Sequence, residues 1–405
     1  MATAKVYNEL DLSFFMDGTS LPLRFFRAWQ DFTQNGVAGN PEFFYDDQPY
    51  KRAFASNYYE DYACDMFISK LEKFKGAAIV MNPDNGEIIA LASFPDYDLN
   101  SFVGPIPIKD WKKLASDKNK PFTNRATQLT YPPGSIFKLT LAAIALEKNL
   151  VTKSTFFKCD GKYQFYDTVF KCWNEDGHGN INLNDAIKKS CNIYFYNLMQ
   201  RIDFDLWSEE TLKFGFGEVP LLDLPEGISG IIPNRSYMTK IYKNKGGWSE
   251  GHMLNLSIGQ GEISVTPLQI INLINLIATN GKTYSSHINI NMLESETKKI
   301  NLDYNNSVWN FLKHAMYSAV NGEGGTAYNA KIDNDSVSIY GKTGTSQVCS
   351  SCDLEPHGWF AGFMELENGK RYSICILIEN GGKGSGKSTL LAKKIFNYIL
   401  DLNNV

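Results

Sequence analysis

From Gly76 onward the apolar and polar positions fall into runs that name their own elements. Ala77-Ala78-Ile79-Val80-Met81 is an unbroken apolar run of strand length, Asn82-Pro83-Asp84-Asn85-Gly86 is turn chemistry, and Glu87 to Ala92 returns as a second strand. This predicts a hairpin at the start of a sheet. After Tyr131-Pro132-Pro133-Gly134, the residues Ile136, Leu139, Ala143 and Leu146 recur at helical spacing. A buried helix is therefore predicted from near Ser135 to Asn149, its start fixed by two prolines that no helix runs through. A second helix is predicted over 184–200, with Ile187, Cys191, Tyr194 and Leu198 on one face, Asn182 or Asn184 as cap, and Ser190 and Asn192 riding on it. Late in the chain, 336–348, 358–365 and 371–379 read as strands, with Glu367-Asn368-Gly369 turning between the last two. A closing amphipathic helix over 387–402 carries Leu390, Leu391, Ile395, Ile399 and Leu400. Strands at both ends around a helical middle imply one discontinuous α+β sheet domain over 76–405. Residues 1–75, with a candidate helix over 54–74 and little punctuation, read as a separate N-terminal segment.

Composition narrows the partners. With 405 residues, 43% hydrophobic and 21% charged, the chain can bury a large core. A formal net charge of -4 gives no general attraction to nucleic acid or an anionic membrane surface, so neither is an expected partner. No run approaches the roughly 18 apolar residues that cross a bilayer, and Met1-Ala2-Thr3-Ala4-Lys5-Val6 lacks the basic-then-apolar opening of a secretory signal. The chain as written is expected to be soluble and to lack an anchor. Seven cysteines cannot all pair with one another, and their clustering suggests local roles.

The candidate chemistry begins at Ser135-Ile136-Phe137-Lys138. A hydroxyl and an amine three residues apart on a helix share a face, and a serine needs such a base to become a nucleophile. Desolvation beside another cation lowers a lysine pKa toward neutrality. Alone the pair is weak, since this spacing is common and a helix cap with a solvated lysine explains it equally well. Ser190-Cys191-Asn192 and Lys342-Thr343-Gly344-Thr345 change that, because the three elements together form the S-x-x-K, S-x-N and K-T-G set of penicillin-binding proteins and class A β-lactamases. Longer local matches add weight: Tyr131 to Ser135, Ile258-Gly259-Gln260-Gly261 with Thr266-Pro267-Leu268-Gln269, Gly325-Thr326-Ala327, and Gly358-Trp359-Phe360-Ala361-Gly362-Phe363.

On these motifs the chain resembles the class B penicillin-binding proteins, specifically the elongation-type D,D-transpeptidases (penicillin-binding protein 2 family), from Lys75 to the C-terminus. The resemblance implies a DD-peptidase/β-lactamase-like serine transpeptidase fold, a five-stranded antiparallel sheet sandwiched by helices. It implies that Ser135 attacks the D-Ala-D-Ala carbonyl of a peptidoglycan stem peptide, that an amine of a neighbouring stem resolves the acyl-enzyme, and that β-lactam antibiotics acylate the same serine. Lys138 would be the base, Ser190 a proton shuttle and Asn192 a holder of the substrate amide. Lys342 and Thr343 would bind the terminal carboxylate, Gly344 would let the substrate backbone lie close, and the N–H groups of Ser135 and Thr345 would form an oxyanion hole. A β-lactam hydrolase or sensor on the same scaffold is the alternative, disfavoured because no dedicated deacylating carboxylate is identifiable. Full-length relatives are implied to sit at the periplasmic face of the bacterial inner membrane, with a membrane glycan polymerase and elongation-complex proteins as partners. Their membrane helix and pedestal are not visible before residue 75, so residues 1–75 are expected to be a pedestal remnant or a rebuilt linker.

Three further constellations remain. Cys159, Cys172, His178 and Cys191 offer three sulfurs and an imidazole, a donor set that suits structural zinc. Some elongation-type relatives resemble the chain here and carry a structural metal beside the active site; no cofactor is implied for catalysis. A Cys159–Cys172 disulfide and inert thiols stay open as alternatives. Cys349-Ser350-Ser351-Cys352 reads as a variable loop, and His357 as structural. Finally, Gly381 to Ser388 matches the P-loop pattern between a predicted strand and a predicted helix. Only Thr389 to Val405 follow it, too little chain for the parallel strands and magnesium-binding carboxylate of a nucleotide-binding fold, so this reading is the remote alternative.

Overall fold

The apolar hairpin and the three late strands converge on one sheet. A computed structural model describes residues 75–97, 102, 107–224, 227–289, 296–348 and 354–403. The candidate helix over 54–74, the rest of the N-terminal segment and the Cys349-to-Cys352 motif lie outside the described residues.

In chain order the elements are β1 (Gly76–Met81), β2 (Ile88–Phe94), α1 (Ile108–Ala115), a 3₁₀ turn (Gly134–Phe137) and α2 (Lys138–Glu147). Four short strands follow, β3 (Phe156–Cys159), β4 (Lys162–Phe165), β5 (Thr168–Lys171) and β6 (Gly179–Asn182). The helical middle comprises α3 (Leu183–Lys188), α4 (Asn192–Met199), α5 (Phe204–Leu212), α6 (Arg235–Tyr242), α7 (Glu250–Ser257) and α8 (Pro267–Ala278). The chain ends with β7 (Lys282–Tyr284), β8 (Lys299–Asn301), α9 (Asn306–Asn321), β9 (Val337–Ser346), β10 (His357–Leu366), β11 (Arg371–Ile378) and α10 (Lys387–Leu402).

The main sheet has the order β2-β1-β11-β10-β9, every neighbour antiparallel. Strand alternation sorts its side chains to two faces. Ala77, Ile79 and Met81 of β1, Trp359, Ala361 and Phe363 of β10, and Cys375 and Leu377 of β11 join the larger core with α2, α4 and α8. Ala78, Val80, Phe360, Met364, Ile374 and Ile376 point the other way, onto Leu391, Ile395, Phe396, Ile399 and Leu400 of α10. Burial of each of those large side chains contributes roughly 1.5–3 kcal/mol. The expected α+β sandwich of a five-stranded antiparallel sheet between helices is what the chain forms.

α8 shows how the core helices are set. Pro267 occupies the first turn, Thr266 and Gln269 close a reciprocal capping box, and the helix is buried on nearly every side beneath the sheet.

Two local expectations need correction. Ser135 does not lie on the α-helix but in the 3₁₀ turn that feeds it, with Lys138 as the first α-helical residue. The helix expected over 184–200 is two helices, so Ser190 and Asn192 do not ride on one continuous helix. Ser190 takes φ 55°. Cys191 N–H donates to Ala186 O at 2.9 Å and Ser190 N–H to Ile187 O at 3.2 Å, the paired closure of a left-handed helix stop. A non-glycine residue held there costs on the order of 1 kcal/mol, and such strain concentrates where function requires a particular geometry.

Candidate active site

Close backbone approach builds the serine end of the site. Gly134 stands at φ 56°, and its N–H donates to Gly259 O at 2.9 Å. A Cβ on Gly134 would sit 2.7 Å from Thr345 O, and one on Gly259 would sit 2.2 Å from Gly134 O. A Cβ on Gly344 would meet Pro133 O at 2.9 Å and Ile136 Cγ1 at 3.2 Å. Glycine at these positions lets the serine turn, the 258–261 loop and β9 lie against one another. Ser135 is partly exposed at the mouth of this junction, while Ile136 and Phe137 behind it are fully buried.

One turn on, Lys138 is 0% exposed. Its Nζ donates to Asn192 Oδ1 at 2.7 Å, to Ser190 O at 2.9 Å and to Ser190 Oγ at 3.3 Å, and lies over the Phe195 ring at 5.5 Å. The left-handed stop at Ser190 delivers both its carbonyl and its hydroxyl to the amine. Burial pushes the Lys138 pKa down to about 8, against an opposing pull from the cysteines nearby, Cys191 first. The opposite wall is β9. Lys342 is also 0% exposed, and its Nζ donates to Thr343 O at 3.0 Å. Burial, then the Lys138 charge, holds its pKa well below the ordinary lysine value. Gly344 pairs with Trp359 across β9 and β10, and the Trp359 indole donates to Ser346 Oγ at 3.2 Å. Thr345 O accepts from Gln260 Nε2 at 3.2 Å, and Thr345 Oγ1 from the Gly384 N–H at 3.1 Å. The structure thus brings Ser135, Lys138, Ser190, Asn192, Lys342, Thr343, Gly344 and Thr345 around one cleft.

The P-loop look-alike serves this wall by packing. A Cβ on Gly384 would lie 2.1 Å from Gly344 O and 2.6 Å from Trp359 O. Ser388 and Thr389 turn their hydroxyls back to Gly384 O, at 2.9 and 2.6 Å, inside the protein. The strand before the loop is the centre of an antiparallel sheet, where a P-loop needs parallel neighbours.

Cys159, Cys172, His178 and Cys191 also converge, their donor atoms all within 4.8 Å of one another. Tetrahedral zinc with three sulfurs and a ring nitrogen sets donors about 3.7 Å apart, so the cluster has the size and chemistry for the ion. His178 Nδ1 lies 3.5 Å from the Cys159 sulfur and 3.6 Å from that of Cys172, while its buried Nε2 has no protein partner. The hydrogen bond between Cys191 and Cys172 pushes the Cys172 pKa down, and the same contact together with burial pushes that of Cys191 up. Cys159, Cys172, Cys191 and Cys375 are free thiols, so the alternative Cys159–Cys172 disulfide is not formed. Trp173, not singled out in the sequence, is exposed on one side while its indole donates to Lys189 O at 3.0 Å and Ser190 O at 3.1 Å. A tryptophan directly after a candidate ligand was the only signal for it. His357 accepts from Asn380 N–H at 3.1 Å and packs edge-on against Tyr131, a structural placement.

The sheet, the flanking helices and the cleft at the serine turn are those of the DD-peptidase and β-lactamase-like fold. A family model described as the penicillin-binding protein transpeptidase domain matches residues 76–401, and the chain belongs to that family. It is 32% identical over 365 residues to the peptidoglycan D,D-transpeptidase MrdA of Haemophilus influenzae, covering 84% of this chain and 55% of the relative. To MrdA of Escherichia coli it is 29% identical over 353 residues, covering 82% and 55% respectively. The chain spans about half the length of these curated relatives. Among solved structures it is similar to penicillin-binding protein PBP2 of Helicobacter pylori in complex with MreC, with TM-score 0.77, 32% identity and coverage of 85% of this chain and 64% of that one. It is also similar to Pseudomonas aeruginosa PBP2 in complex with WCK 5153, with TM-score 0.74, 29% identity and coverage of 83% and 73%. A second model, described as a phage tail tube protein, matches residues 1–94; the described end of that stretch, 76–94, is the β1–β2 hairpin of the main sheet. Among the described residues, no helix is long and apolar enough to cross a membrane.

Proposed function

We propose that this chain is a peptidoglycan D,D-transpeptidase that works through a Ser135 acyl-enzyme and is acylated by β-lactams. The observation that carries the reading is the Lys138 amine, buried one turn after Ser135 and held by Ser190 and Asn192. In its neutral form Lys138 takes the Ser135 proton as Oγ attacks the penultimate D-alanine carbonyl. Ser190 Oγ, beside the amine, relays that proton to the departing D-alanine nitrogen, and Asn192 positions the donor amide. Lys342 and Thr343 receive the terminal carboxylate. The N–H groups of Ser135 and Thr345 face the developing oxyanion, a contribution of about 3–4 kcal/mol per donor where such groups have been removed. The amine of a second stem then attacks the ester, with Lys138 again as base, and Ser135 regains its proton.

Residues 76–405 act in this reading as the transpeptidase domain and 1–75 as a separate segment, a pedestal remnant or a rebuilt linker. In this reading the full-length protein works at the periplasmic face of the inner membrane, beside a glycan polymerase and elongation-complex proteins; the MreC complex of the Helicobacter pylori relative supports such a partner. Structural zinc is part of the proposal, with Cys159, Cys172, Cys191 and His178 Nδ1 as ligands. It would supply a cross-link between the β3–β6 loops and the start of α4, and no step of the reaction passes through it.

Labelling with a fluorescent penicillin tests the reaction: the native chain is expected to form a stable covalent adduct and Ser135→Ala none. Labelling of Ser135→Ala overturns Ser135 as nucleophile, and rapid turnover of the native adduct favours a β-lactam hydrolase. Elemental analysis tests the metal, with one zinc per chain expected.

A further inference from the structure

Behind the serine turn lies a partly buried carboxylate that the reaction above does not use. Glu379 follows β11, where its N–H donates to Lys75 O at 2.7 Å. One oxygen, Oε1, takes two donors: the Arg125 Nε at 2.8 Å and the Tyr131 hydroxyl at 2.7 Å. Arg125 and Glu379 expose 3% and 15% of their side chains, so solvent does little to weaken the pair. The remaining Arg125 nitrogens are committed as well, Nη2 to Asn119 O at 2.6 Å and Nη1 to Lys120 O at 3.3 Å. Tyr131 is just as constrained. Its backbone exchanges two 2.9 Å hydrogen bonds with Val265, and its ring packs edge-on against His357 and Trp359. Burial and the Glu379 charge push its hydroxyl pKa up, so the phenol remains a donor.

From Tyr131 only Pro132, Pro133 and Gly134 separate this anchor from Ser135, and two prolines make that link stiff. Trp359, on the other side of the Tyr131 ring, pairs with Gly344 in the strand facing the serine. We infer that Glu379 is a positioning residue, which through Tyr131 fixes the height of the serine turn against β9 and so the aim of the Ser135 hydroxyl. What matters is one charged carboxylate oxygen shared by a guanidinium from the preceding loop and the phenol at the head of the turn.

The inference rests on Ser135 being the nucleophile. Its test is stopped-flow acylation by a fluorescent penicillin, separating the acylation rate constant from the non-covalent dissociation constant, with thermal melts in parallel. Tyr131→Phe keeps the ring and loses only the hydroxyl; Glu379→Gln keeps an acceptor and loses the charge. Each is expected to slow acylation about tenfold with the dissociation constant unchanged, and the double variant to be no slower than the worse single one, since both break one connection. Glu210→Gln is the control, because Glu210 is a buried carboxylate whose ion pairs run to Lys148 and Lys213, not to the serine turn. It should lower the melting temperature and leave acylation intact. Native-rate acylation by Tyr131→Phe, melting losses without slower acylation of the folded protein, or multiplicative effects in the double variant would each overturn the inference. If the native chain is not labelled, or Ser135→Ala is, the nucleophile assignment fails instead and takes the inference with it.

Discussion

The two walls of the cleft are held by different means. On the β9 side, Lys342, Thr343 and Gly344 are buried in a strand backed by β10, itself buried along almost its whole length, and by the glycine loop before α10. On the other side, Ser190 and Asn192 stand at a break between two short helices, next to β3, β4 and β5, whose residues are mostly exposed or half-exposed. The first wall is fixed by packing in a large core. The second is packed only from behind, through the buried face of α4, while on its outer side the short strands bury little, and its cleft edge depends on a few directional bonds: Lys138 to Ser190 and Asn192, Trp173 to Ser190, and the cluster of Cys159, Cys172, His178 and Cys191. A site between a rigid wall and a stapled one can be damaged in two distinguishable ways.

The largest effect is expected where the walls meet. Lys138→Ala removes both the base and the group that ties Ser190 to Asn192, and should slow penicillin acylation about 10³-fold with binding retained, as read by stopped flow. In the native chain the same amine sets the pH profile. Its pKa is lowered to about 8, so the neutral, proton-accepting form grows as pH rises, and acylation should climb tenfold per unit until it levels near that value.

Next comes the stapled wall. Cys159→Ser, and a chelator acting on the proposed zinc, should each slow acylation about 10- to 100-fold, the scale of changes made around a metal site. Hydrogen exchange should quicken in β3–β6 and at Cys191 while β1, β10 and β11 keep their protection. Equal loosening of both regions would erase the contrast between the walls.

The smallest effect should come from the packed wall. Gly384→Ala drives a methyl into Gly344 O and Trp359 O, which costs about 1–3 kcal/mol of stability on overpacking grounds. A melting curve reads this directly, with acylation of the surviving folded protein reduced less than in the cysteine variant.

The same contrast explains what the sequence made legible. The sheet and α10 could be read because each buries a continuous or periodic apolar set, and the residues of the three motifs could be read because their chemistry is local. The stop at Ser190 was hidden: the left-handed turn resets the chain so that Ile187, Cys191, Tyr194 and Leu198 still face inward, and the periodicity runs across the break unchanged. The 3₁₀ geometry at Ser135 was hidden for a similar reason, since i to i+3 spacing suits both helices. Arg125 and Glu379 lie 254 residues apart, and no local pattern links an arginine in a loop to a glutamate at a strand end. The four-donor cluster was legible as composition and open as to bonding; only folding distinguishes a disulfide from convergent free thiols.

The pairing of β1 with β11 has a consequence for biosynthesis. Gly76 sits opposite Ile378, so the first strand of the sheet has no inner neighbour until nearly all of the described chain has been made. A nascent chain therefore carries a half-satisfied apolar hairpin through most of translation, and closing the loop between these strands is an entropically slow, late event. β9 gains its backing from β10 in the same late interval. Assembly of the Lys342 wall thus acts as a check on completeness: a prematurely terminated product has the serine but not the surface it must face.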